Sequence, residues 1–224
     1  MYFLAFVMSF SSMCSCPNGI PSELWGARPS DIENINFVDS VAFENEYFKV
    51  MRSSAACTTA HNKGFGTRVI VALTKLNVLS NRGVQNLERG QVSVFLEGES
   101  YAQPTGEYFE VAFKTDHPTL KSPEKWIEPA KNTIVYENEQ FRVFEERLDP
   151  GADRELHSHA QRIVVRLNEV QLTDPRFHAN GTPKGGIQIP NTVKFAEPIV
   201  HVVRNLSKIP LFNIVVEFKI SHLK

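Results

Sequence analysis

The sequence predicts an all-β chain built as two tandem barrels of short strands, and three observations carry that prediction. First, short β-branched or aromatic runs are split by turn chemistry such as NRG (81–83), LEGES (96–100) and LDPGAD (148–153), with few helical periods. Second, the chain repeats itself. FENEYFKV (43–50) and YENEQFRV (136–143) share five of eight positions at a spacing of 93 residues, and RVIVAL (68–73) falls on RIVVRL (162–167) after a one-residue insertion. Third, each copy closes on a strongly apolar run, EYFEVAFK (107–114) and LFNIVVEFK (211–219), suited to a sheet that pairs the two copies or two chains.

Taken in order, residues 1 to 30 stand apart from the fold. The opening MYFLAFVMSF is apolar, small residues follow, and no charge precedes Glu23. It is too short to span a membrane. It resembles the apolar and cleavage regions of a secretory signal without the basic start, so an extracytoplasmic, periplasmic or secreted protein is expected. An apolar arm on a cytoplasmic protein is the alternative, and lipid attachment at Cys14 or Cys16 fits the preceding residues poorly. The first copy then runs over 37–116 and the second over 132–224. Between them, the linker 117–131 lies within the proline-rich and charged DHPTLKSPEKWIEPAKN (116–132), crossing a surface and pinned by Trp126 and Ile127. Helix is expected only as single turns near 20–26 and 122–128.

Bulk properties exclude several functions. The 24 basic and 25 acidic side chains are scattered and leave a net charge of -1, so nothing favours a nucleic-acid backbone or an anionic membrane. The three cysteines, Cys14, Cys16 and Cys57, form neither a disulfide framework nor a zinc spacing with the histidines. A chain of 224 residues is long enough to bury a proper core.

The second copy holds the candidate chemistry. Gly151, a five-residue spacer and His157-Ser-His159 lead into a β-branched run, and His201 follows, with Asn205 four residues later. This arrangement resembles the two motifs of the cupin family, and over roughly 37–221 the duplicated chain resembles a bicupin. The resemblance implies jelly-roll barrels, a divalent metal on His157, His159 and His201, and a small-molecule ligand, polar or carboxylate-bearing. Side chains two apart on a strand point the same way, so both imidazoles of the pair share a face. Imidazole suits Zn, Cu, Fe, Ni and, with oxygen ligands, Mn. The alternatives are solvated imidazoles at a strand start and, for His201, a hydrogen-bonded core histidine.

The pattern also departs from the family. Its glutamate ligand should stand at 163 or 164, where this chain has Ile163 and Val164. Strand parity puts 157, 159, 161 and 163 on one face, so the amide of Gln161 is the nearest oxygen ligand, and Glu197 is the nearest carboxylate to the later motif. Arg162 and Arg166, alternating with that face, are expected outside the barrel or at an interface. Arg68 and Arg162, at matched positions, suggest a shared structural salt bridge. Glu145, Glu146 and Glu155 read as an acidic patch or a solvated turn, and NGTPKGG (180–186) as a lid or an ordinary turn.

In the first copy Lys63 and Phe65 replace the paired histidines, and Tyr101 takes the third ligand's place. That copy should bind no metal there, serving as a structural partner or as an apolar pocket lined by Phe65, Phe95 and Tyr101. His61, His117, His178 and His222 receive no role. Two functions follow: a protein binding metal and a small molecule, in which the metal would do any catalysis, or a non-catalytic bicupin with a decayed site. A homodimer is compatible with either.

Overall fold

A computed structural model describes residues 40–55, 66–102, 104–114, 120–129, 132–174 and 185–219. The readings made on residues 1–30, on His61, Lys63, Phe65, His117, His178 and His222, and on most of NGTPKGG lie outside the described residues.

Strands form where β-branched and aromatic residues alternate between two buried faces. The first copy supplies β1 (Ser40–Glu44), β2 (Phe48–Ala55), β3 (Arg68–Ala72), β4 (Leu76–Ser80), β5 (Gly83–Leu87), β6 (Val92–Phe95) and β7 (Gly106–Phe113). The second supplies β8 (Asn132–Glu137), β9 (Phe141–Leu148), β10 (Asp153–His159), β11 (Arg162–Arg166), β12 (Val170–Thr173), β13 (Gly185–Gln188), β14 (Thr192–Ala196), β15 (Ile199–Asn205) and β16 (Leu211–Phe218). No helix occurs among the described residues, and hence none long and apolar enough to cross a membrane. The turn expected near 122–128 is instead an extended strap. Its Ile127 N–H donates to Ser158 Oγ and its Ile127 carbonyl accepts from Ser158 N–H, both at 2.9 Å. Proline lacks the N–H that a helix interior needs, and an extended segment tolerates that loss.

Each copy builds one five-stranded sheet, β1-β2-β7-β3-β6 and β14-β11-β16-β9-β8, and a smaller sheet, β4-β5 and β10-β15-β12-β13 respectively. The two apolar closing runs, β7 and β16, are central strands of their own sheets and do not pair with each other. They meet face to face. Val50, Val69, Val71, Phe109 and Val111 of one sheet bury against Phe141, Val143, Ile163, Val165, Ile214 and Val216 of the other. Phe48, Phe113 and Phe218 interlock there with ring centroids 4.7–5.4 Å apart, and β1 reaches over by stacking Phe43 on Phe195 at 5.6 Å.

The turn before β6 locks the two halves. Arg89 donates to Leu73 O at 2.7 Å in its own half, and to Leu167 O and Asn191 Oδ1 (2.8 Å) in the other. Gly90 follows at φ +82°, and a Cβ there would lie 2.6 Å from Phe212 Cε1. Gly90→Ala should therefore cost left-handed strain plus overpacking, about 2–4 kcal/mol. Gly98→Ala, at φ +84° with nothing within 4 Å, should cost only the strain, about 1–2 kcal/mol. Urea unfolding of both variants measures the difference.

Candidate metal centre

The two histidines enter the second barrel because β10 carries a bulge. β10 pairs antiparallel with β15, and the register shifts between Arg154, opposite Val203, and His157, opposite His201. The extra residue switches the inward parity: Arg154 is buried, Glu155 and Leu156 are exposed, and His157 and His159 are each 1% exposed. His157 therefore sits directly across from His201. The ring centroids are 4.5 Å apart for His157 and His201, 4.8 Å for His157 and His159, and 5.4 Å for His159 and His201. Ring nitrogens of all three lie within 4.8 Å of one another, a cluster that could hold a metal ion. Nitrogens sharing an ion at about 2.0–2.1 Å stand about 3–4 Å apart, so the trio has to close by about an ångström.

Each Nδ1 of the pair is already committed. His157 Nδ1 lies 2.6 Å from Glu155 O on the bulge, and His159 Nδ1 lies 3.3 Å from Glu217 Oε1. Both acceptors favour a proton on Nδ1 and leave Nε2 with a free lone pair. The Nε2 atoms of His157 and His201 are buried and have no hydrogen-bond partner. The residues thus fit a cation, which an imidazole Nε2 lone pair binds without any proton.

No family model matches the chain, and no curated protein matches it. Solved structures do. AerE from Microcystis aeruginosa is similar at 12% identity and a TM-score of 0.55, over 79% of this chain and 89% of that one. A cupin 2 conserved barrel domain protein from Leptotrichia buccalis is similar at 8% identity and a TM-score of 0.54, over 81% of this chain and 88% of that one. The chain has the bicupin fold.

Several expected residues sit differently from their sequence reading. Parity does not run from His159 to Ile163, because the chain turns at Ala160 and Gln161 from the β10 sheet into the β11 sheet. Ile163 accordingly lies in the core between the two halves, away from the histidines. The Gln161 amide accepts from Lys121 N–H at 3.0 Å and faces Glu197 Oε2 at 3.3 Å. Glu197 also pairs with Lys121 at 3.5 Å and is not one of the clustered residues. Arg162 is not outside: it is 7% exposed and donates to Ala160 O and Glu197 O, both at 3.1 Å. Glu146 belongs to no solvated turn, being buried against Arg154 and Asn213 at 2.9 Å each.

In the first barrel Phe95 and Tyr101 stack at 4.4 Å inside a cluster with Ile70, Ala72, Leu76, Val78, Leu87 and Tyr108. They sit in that buried interior, and the Tyr101 hydroxyl donates to buried Glu110.

The carboxylate that sequence reading missed is Glu217, fully buried on β16. Its signal lies in LFNIVVEFK: Asn213 and Glu217, four apart, share one face of an otherwise apolar strand. Arg142 and Glu146 of β9 do the same, and cross-strand register brings Arg142, Glu217 and Arg162 into one row. Burial pushes the Glu217 carboxyl up, against the opposing pull of Arg142 and Arg162.

Burial is also the main force on the imidazoles. It lowers His157, lowers His159 well below the usual range with Arg162 adding to it, and, with the neighbouring histidines, pushes His201 down to about 2. All three are neutral at pH 7. A histidine whose folded pKa is depressed binds its proton only in the unfolded chain between the two pKa values. Metal-free protein should then lose stability as pH falls below about 6.5, by up to about 1.4 kcal/mol per pH unit for each such histidine. Urea unfolding across pH 4–8 should show a shallower slope in His201→Phe.

Proposed function

We propose that the second barrel of this bicupin holds one divalent metal ion on His157, His159 and His201 and presents its remaining positions to a small polar or carboxylate-bearing molecule. The observation that carries this is the pair of buried, partnerless Nε2 atoms on His157 and His201. Leaving a buried nitrogen unsatisfied costs about 1–3 kcal/mol, and convergence of two on one point is what a cation site requires. Among Mn, Fe, Ni, Cu and Zn, a set of three imidazoles without a carboxylate suits Zn, Cu, Fe and Ni better than Mn, which favours oxygen ligands.

A bound ion would supply Lewis acidity or, if redox-active, oxygen activation. The chain's own residues bind and orient. Glu155 O and Glu217 fix two imidazoles, Phe144 lies parallel to the His159 ring at 6.0 Å, and burial of the pair keeps water from its ring edges. Among the described residues no carboxylate joins the cluster, so anionic ligation is left to the small molecule.

A second reading, a non-catalytic bicupin with a decayed site, is favoured by Ile163 standing in the core where the family's glutamate is expected. Metal analysis separates the two. Wild type reconstituted with each of the five metals in turn should retain about one equivalent of at least one of them, and His157→Ala/His159→Ala should retain none. Metal at 100 times its dissociation constant should also stabilise the wild type by about 2.7 kcal/mol. A wild type that retains no metal favours the decayed site.

A further inference from the structure

We propose that Glu217 is the positioning residue of the metal centre: from the last strand it holds His159 with Nε2 toward the ion. The inference rests on the metal-binding reading above and deepens it.

Four observations carry it. Glu217 Oε1 is shared between the Ala160 backbone N–H (2.5 Å) and His159 Nδ1 (3.3 Å). The carboxylate is thus fastened to the backbone one residue beyond the ligand it orients. Its other oxygen, Oε2, accepts from Arg142 Nε at 2.9 Å and lies 2.8 Å from Nη2 in the same ion pair, so both carboxylate oxygens are held. A charged acceptor on Nδ1 holds the proton there and raises the basicity of Nε2, the usual outer partnership of a metal-bound imidazole.

The internal duplication supplies an independent control. In the second copy the cross-strand row reads Arg142, Glu217, Arg162. The corresponding row of the first copy reads Lys49, Ala112, Arg68. The two flanking cations persist, and the carboxylate is present only in the copy that carries the histidines. Lys49 differs from Arg142 in being partly exposed and paired with Glu44 at 3.9 Å, so the comparison shows that the carboxylate accompanies the histidines and the buried Arg142 together.

Arg142 extends the arrangement outward. It pairs with Glu128 at 3.1 Å and lies 5.2 Å from the Trp126 ring centroid, both residues of the strap between the copies. The strap is thereby fastened to the same carboxylate that fastens His159.

The test titrates cobalt(II) into metal-free full-length protein, reading affinity and the visible ligand-field spectrum. Glu217→Gln keeps the shape but puts an amide where Arg142 donates, and should weaken cobalt binding by about 10–100-fold with an altered spectrum. Glu217→Asp should recover part of the affinity. Because Glu217→Gln leaves Arg142 buried without its counter-charge and can unfold the chain, the pair is also removed together as Arg142→Met/Glu217→Met. This variant keeps an apolar fill, should fold metal-free with Arg162 still held by Ala160 O and Glu197 O, and should show the same loss of affinity. Wild-type affinity and spectrum in the folded Gln or double variant overturn the role of Glu217 while leaving the three-histidine site standing. A wild type that binds no cobalt overturns both.

Discussion

The face-to-face burial of the two five-stranded sheets is the constraint from which the rest of the molecule follows. Because β9, β11 and β16 each present one parity to that shared core, Val143, Ile163 and Val216 have to be apolar. The opposite parity then faces the second barrel's interior, also out of water, and polar residues survive there only in matched sets. Arg142, Glu217 and Arg162 make one such set, and Glu146, Asn213 and Arg154 another. Removing one member strands its partners, which is costlier than the pair itself is stabilising. The polar rows are therefore held in place by the apolar ones behind them.

Much of this was legible in the residues. The repeat at 43–50 and 136–143, the alternating short runs and the spacing of His157, His159 and His201 required no coordinates, because period-two patterning and motif spacing are local properties. What was not legible depends on where the chain bends. The β10 bulge and the corner at Ala160–Gln161 each reset the parity count, so extending the histidine face to residue 163 fails there. Glu217 was hidden for another reason: a lone acid in LFNIVVEFK looks like the solvent side of an edge strand until β16 is found between β11 and β9. Arg162 was misplaced by the same error as Ile163.

The two copies show how one architecture diverges by what fills it. The first barrel closes its interior with Ile70, Leu76, Val78, Leu87, Phe95 and Tyr108, and the Tyr101 hydroxyl there donates to Glu110. Such an interior resembles any other core and adds stability in proportion to the apolar area it removes from water. Among the described residues the second barrel has a small apolar cluster, Leu148, Val170, Val203 and Leu211, beside its polar rows and histidines. Its stability leans on the shared sheet interface, so the filled copy acts as the scaffold on which the site-bearing copy is held.

The neutral state of the imidazoles completes the argument. A buried histidine cluster could relieve its unsatisfied nitrogens by taking up protons, but desolvation depresses all three pKa values and mutual repulsion adds to the effect at His201. Turning the rings is closed off at His157 and His159 by Glu155 O and Glu217. With protonation and rotation each opposed by a separate interaction, an electron-pair acceptor brought from outside is what would satisfy the Nε2 atoms. A divalent cation is the common one that accepts from several converging imidazoles at once, and the contacts that fix these rings are the ones on which the proposed metal centre would depend.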